Sequence, residues 1–115
     1  MIKAKDIKKI QEEHKKYEGL LANEKDFIKQ LKYKRILREY EYKFMDIELQ
    51  LLNIELGLHK DEELHKNIFI DKYINKIPVE RLVDKYRISR TKIYKMTNKA
   101  KDLFESKRYS NSLIL

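Results

Sequence analysis

Apolar positions recur along this chain at the three- and four-residue spacing of helices. Ile7, Ile10, His14 and Tyr17 share one face of residues 2–18, a segment with lysines elsewhere that ends near Gly19. From Asn23, placed to cap a helix with Asp26 three positions on, the pattern stays helical through Leu56, and Gly57 offers an exit. Inside it Leu37, Tyr40, Phe44, Ile47, Leu51, Ile54 and Leu58 step by three and four, which is the a/d seam of a coiled coil. A second series, Tyr42, Met45, Leu49, Leu52 and Leu56, takes the same steps roughly 150° around the helix. A helix that is apolar on two sides can cover one side with its own chain, and a second copy is the simplest cover for the other. The expectation is a homodimer in which Leu37, Tyr40, Phe44, Ile47, Leu51 and Ile54 form the dimerisation face. The competing arrangement is a central helix flanked on both sides by residues 2–21 and 62–77 of the same chain.

The C-terminal half reads as three further helices. Leu64, Ile68, Phe69, Tyr73, Ile74 and Ile77 predict a supporting helix over residues 62–77, and Pro78 falls at the first position of the next, where its missing N–H costs nothing. Leu82 and Tyr86 share a face, Ile88 lies beyond a break, and Ile93 and Met96 begin a second inward stripe. Ser89 stands where an N-cap belongs. Two helices crossing at a short turn would bury these five apolar side chains, leaving Arg90, Thr91, Tyr94, Lys95 and Asn98 pointing outward. The predicted fold is therefore all-α: a long amphipathic, coiled-coil-like helix followed by a trihelical helix-turn-helix unit. The expected division is a helical dimerisation region at 1–58, the trihelical unit at 59–108 and a tail at 109–115.

Composition narrows the classes. Two glycines and one proline in 115 residues leave little room for sheet turns, and the absence of cysteine removes disulfides and thiolate metal sites. No apolar stretch approaches the ~20 residues that span a bilayer, and no signal-like start is present, so the expectation is a cytoplasmic protein that makes no membrane contact. The net charge of +8 is uneven: residues 77–108 hold ten Lys or Arg against four Asp or Glu, whereas residues 44–63 carry six carboxylates against Lys60 alone. The positive field belongs to the C-terminal module.

Six Lys or Arg and no carboxylate lie between Arg87 and Lys101, a surface that should attract phosphate. A helix of this kind fits the major groove, where Arg and Lys pair with guanine edges and Asn with adenine. Arg90, Thr91, Tyr94, Lys95 and Asn98 are the candidates for base edges, and Ser89, Lys92, Lys99 and Lys101 for phosphates. A second basic cluster, Lys29, Lys32, Lys34, Arg35 and Arg38, surrounds Tyr33 and could touch flanking DNA. His59 and His65 are six apart and point to different sides of a helix, so no metal site is expected, and His14 reads as a partly buried core residue. No carboxylate sits in an apolar stretch, and no glycine loop could cradle a phosphate. Neither catalysis nor a cofactor is expected.

The run Ile68–Leu103 resembles region 4 of sigma-70-type factors. Lys72-Tyr73 falls at the place of the Arg-Tyr pair, Glu80-Arg81-Leu82-Val83 at that of "EEIA", and Ile88-Ser89-Arg90 at that of "IS-R", without a gap. With a helical N-terminal half, the chain resembles the ArpU/RinA-like phage regulators, small sigma-like activators of late genes. The resemblance covers the last third of the chain. It departs at Val83, where Ala or Gly is usual, and at Arg87 and Lys76, where Gly is usual. It implies a sequence-specific regulator of transcription in a bacterial host, encoded by a phage or mobile element, with double-stranded DNA as partner and RNA polymerase as a further contact. Two alternatives remain open at this point: a DNA-packaging protein of the small-terminase kind, and a protein-interaction module that binds RNA polymerase or another host factor.

Overall fold

The computed structural model describes residues 1–106, so the expected tail at 109–115 lies outside the described residues. Five α-helices carry the fold, and no strand occurs among the described residues. A single 3₁₀ turn, Ala4–Asp6, leads into α1, Ile7–Asn23. Gly19 does not end this helix: it lies on an exposed face, where a lone glycine costs only about 1 kcal/mol relative to alanine. The helix stops four residues later, where the Asn23 side chain donates back to the Gly19 carbonyl at 3.1 Å. Asn23 is thus the last residue of α1 rather than the cap of the next helix. That cap is Asp26, which adopts extended backbone and accepts from the Ile28 N–H at 3.2 Å.

Helix α2, Phe27–Leu56, has 30 residues and is about 45 Å long. The expected 62–77 helix is shorter than its apolar pattern implied. Helix α3, Glu62–Phe69, passes into a π-helical turn at Ile70–Ile74. That turn closes with the Asn75 N–H on the Ile70 carbonyl and the Ile77 N–H on the Asp71 carbonyl. Helices α4, Val79–Tyr86, and α5, Arg90–Phe104, follow. Pro78 sits just before α4, its carbonyl receiving the Arg81 and Leu82 N–H groups.

Two cores result. The larger joins Ile7 and Ile10 of α1, Tyr40, Ile47 and Ile54 of α2, Phe69 of α3, and Ala100 and Phe104 of α5. The smaller joins Ile68, Leu82, Ile93 and Met96, with Val83, Tyr86 and Ile88 packed against it. Because α3 and α5 contribute to both, the expected boundary at 58/59 crosses a shared core rather than a linker. His14 is half-buried in the larger one, edge-on to Phe44 at 4.8 Å between ring centres.

The expected dimerisation face lies inside the protomer. Tyr40, Ile47 and Ile54 are buried, Phe44 and Leu51 pack against the same core, and Leu37 is half-buried. The short α1 folds back along this seam and α5 closes its far end, so one chain supplies all the cover the seam receives. Among the described residues nothing covers the opposite side of α2, where Phe27, Ile28, Leu31, Tyr42, Met45, Leu52 and Leu56 are all exposed.

Chain start and α5 are tied together through Gln50, which is 4% exposed. Its amide accepts from the Ile2 N–H at 3.0 Å and donates to the Ile2 and Phe104 carbonyls at 2.7 and 3.0 Å. Gly57 permits a second close approach. A Cβ there would overlap the Leu103 side chain and the Asn53 carbonyl.

Candidate nucleic-acid interface

Helices α4 and α5 meet at a turn of three residues, Arg87–Ser89. Arg87 takes the left-handed conformation, φ 54° and ψ 44°, and its N–H closes on the Val83 carbonyl at 2.9 Å. This is the helix end that glycine usually supplies. Lys76 adopts the same region at φ 55°, so both positions take backbone that favours glycine while bearing cationic side chains. Ser89 then caps α5, accepting from the Lys92 N–H at 3.3 Å.

The inward side of α5 is set by Ile93, Met96, Thr97, Ala100 and Phe104, all buried. Helical geometry then turns Arg90, Thr91, Lys92, Tyr94, Lys95, Asn98 and Lys99 outward, and each is exposed, as is Ser89. Lys101 is only half-buried, at the edge of the face. Acidic groups lie at the rim. Glu80 of α4 is 3.2 Å from Arg90, and Asp61 shares with Lys92, Lys95 and Lys99 a shallow cleft of about 320 Å³ that His65 and Met96 complete.

Tyr94 stands between two cations. The Lys72 ammonium lies 5.2 Å from its ring centre and the Arg90 guanidinium 5.7 Å, with an Arg90 nitrogen 3.4 Å from the phenol oxygen. That hydrogen bond, with the Glu80 carboxylate nearby, holds the guanidinium pKa above its ordinary value. Lys72 also reaches the Thr97 hydroxyl at 3.5 Å. Lys72 was not among the expected contacts, since it belongs to the preceding helical segment. Its place beside Tyr73 in the sigma-like pattern was the available signal.

Asp71 orients this unit. It is 6% exposed, and its carboxylate accepts from Lys85 at 2.7 Å, from the Tyr86 hydroxyl at 2.5 Å and from Asn75 at 3.0 Å. Burial pushes the Asp71 carboxyl up, but these hydrogen bonds and the Lys85 charge outweigh it and hold the carboxyl below its ordinary value of 3.8. The π-helical turn is thereby fastened to the end of α4, which fixes where the Arg87 turn and α5 begin.

The second basic cluster is exposed along the first half of α2, at Lys29, Lys32, Lys34, Arg35 and Arg38. Tyr33 is half-buried against Tyr17, with 6.2 Å between ring centres. Compared with known proteins, the chain matches no family model, no curated sequence and no solved structure. No described helix is long and apolar enough to cross a membrane.

Proposed function

We propose that this chain is a sequence-specific regulator of transcription that reads double-stranded DNA with the outer face of α5. One observation carries the proposal: the outward positions of α5 from Arg90 to Lys99 are exposed together, and no carboxylate occurs between Arg87 and Lys101. In this arrangement Arg90, Thr91, Tyr94, Lys95 and Asn98 meet base edges, while Ser89, Lys92, Lys99 and Lys101 hold phosphates. Arg90 leaves its exposed pairing with Glu80 as it meets DNA, giving up a surface ion pair worth about 1 kcal/mol or less for a base contact worth about 1–3 kcal/mol. The cationic side chains kept at Lys76 and Arg87, on backbone that favours glycine, support a role in phosphate contact. The likeness of Ile68–Leu103 to sigma region 4 supports a transcriptional role in a bacterial cell, for a phage or mobile element, with RNA polymerase as a second partner.

Selection of bound fragments from the native genome, followed by titration of the selected site against scrambled DNA, tests this. Arg90→Ala and Asn98→Ala should each weaken the selected site on the order of tenfold and leave scrambled DNA little changed. Lys99→Ala should weaken both alike and make the salt dependence shallower by about one unit of slope. Equal losses on every DNA from Arg90→Ala would refute base reading. A ring-shaped assembly, seen by light scattering, would point to DNA packaging instead.

A further inference from the structure

From the open side of α2 we infer that this protein is an antiparallel homodimer, formed through the stripe that runs from Ile28 to Leu56 rather than through the seam its own helices cover. The stripe keeps strict three-four spacing over the whole helix: Ile28, Leu31, Arg35, Arg38, Tyr42 and Met45, then Leu49, Leu52 and Leu56. Ile28, Tyr42 and Met45 are 69%, 61% and 58% exposed, values far from those of a core. Side chains of this size, each about half exposed, leave on the order of 600 Å² per chain to bury, and flanking residues bring this near the roughly 800 Å² per partner of a stable interface.

The charges select a second copy, and they select its direction. The first half of α2 is basic, with Lys29, Lys32, Lys34, Arg35 and Arg38, and the second half is acidic, with Asp46, Glu48 and Glu55. A parallel pair would set Arg35 and Arg38 against their own copies in the middle of the seam. An antiparallel pair sets each basic half against the other chain's acidic half. One register satisfies both the seam and the flanks, with Ile28 opposite Leu52, Leu31 opposite Leu49, Arg35 opposite Met45 and Arg38 opposite Tyr42. It places Lys34 beside Glu48 of the other copy and Lys32 beside Asp46. Arg38 lies over the Tyr42 ring, and Arg35 and Arg38 offset the Glu39 and Glu41 carboxylates that approach their own copies near the two-fold axis.

The same register accounts for an independent feature. Beside Leu52 lies a cleft of about 290 Å³ floored by Leu51, Leu52 and Ile70 and rimmed by Glu48, Glu55 and Lys66. Phe27, 65% exposed, projects next to Ile28, so the copy that sets Ile28 against Leu52 brings Phe27 to this cleft.

Light scattering of the full chain should give about twice 14.1 kDa at tens of micromolar. Met45→Glu should give a monomer with unchanged helical circular dichroism. The chain has no cysteine, so single cysteines report direction cleanly. Mixed I28C and L52C proteins should form the disulfide between unlike chains, and neither should dimerise covalently alone. Lys34→Glu should weaken the dimer at least several-fold, and K34E/E48K should restore it, a recovery that a merely structural role for either residue would not produce. A monomeric wild type, I28C joined to itself, or failure of the double reversal would each overturn the proposal. So would a monomer that dimerises only after truncation at Ser106, which would show the C-terminal residues covering the stripe. None of these readouts involves DNA, so this inference and the proposed function stand or fall separately.

Discussion

Replacing Arg87 with glycine should make the protein more stable and a worse DNA binder. At φ 54° and ψ 44° the Arg87 Cβ crowds the following carbonyl, at a cost of about 1–2 kcal/mol that glycine does not incur. Glycine offsets about 0.5–1 kcal/mol of this through the greater freedom of its unfolded chain. The net gain is about 0.5–1 kcal/mol, and at about 4 °C per kcal/mol for a chain of this size the melting temperature should rise by about 2–4 °C. Arg87 is exposed and is hydrogen-bonded here through its backbone to Val83, a contact that glycine keeps. In the DNA complex, loss of one cation from the turn should flatten the dependence of log affinity on log salt by about 0.9. Thermal unfolding followed at 222 nm and fluorescence-anisotropy titrations at several salt concentrations measure the two effects. A lower melting temperature would refute the backbone argument. A higher one with an unchanged salt slope would remove Arg87 from the interface and leave the left-handed turn without a functional reason.

Asp71→Ala should destabilise the fold by about 2–3 kcal/mol at neutral pH, because the half-buried Tyr86 hydroxyl loses its charged acceptor. In wild type the Asp71 carboxyl is held below its ordinary 3.8, so its contribution is fully present above that value and disappears as pH falls through the lower, folded one. Denaturation midpoints from pH 6 to pH 2 should therefore converge for the two proteins, and a constant gap would contradict the carboxylate's role. Gly57→Ala should cost about 1–3 kcal/mol by pushing Leu103 away from the end of α2, seen as a lower urea midpoint at unchanged slope. Gln50→Ala should cost about 1–2 kcal/mol and raise amide exchange at Ile2, since the partly buried Ile2 N–H and carbonyl and the buried Phe104 carbonyl lose their partner.

Helical periodicity located α1, α2, α4 and α5, because each presents a stripe at the right spacing, and Ser89 marked the start of α5 through its short acceptor side chain. The break at Glu24–Asp26 was harder to see. Asn23 and Asp26 are both good caps three residues apart, and which one acts depends on where α1 must turn to lay Tyr17 against Tyr33 and Tyr40. The π-helical turn left no trace in the apolar pattern, since its cause is the pairing of Asp71 with Lys85 and Tyr86 from a later helix. Both stripes of α2 were legible, but not which of them α1 would cover. Their apolar content is similar, and the choice rests on the His14 and Tyr17 rings meeting Tyr40 and Phe44. On α5, outward positions followed from the inward ones, whereas Lys72 became visible only once the π-helical turn and α5 were side by side.

Gln50 makes completion of the fold wait for synthesis. It holds Ile2 to Phe104, and Ala4 binds Glu105 at 3.0 Å, so residues about a hundred positions apart along the chain must both have been made before these contacts can form. At about 5–20 residues per second, some 50 residues separate Ile54 from Phe104 and take roughly 3–10 s to translate. During that interval α1 and α2 can pair, yet the wall that Ala100 and Phe104 finish stays wet. A stalled or truncated chain ending before α5 would expose that greasy wall to chaperones and proteases, so quality control would remove incomplete copies before they could compete with whole ones.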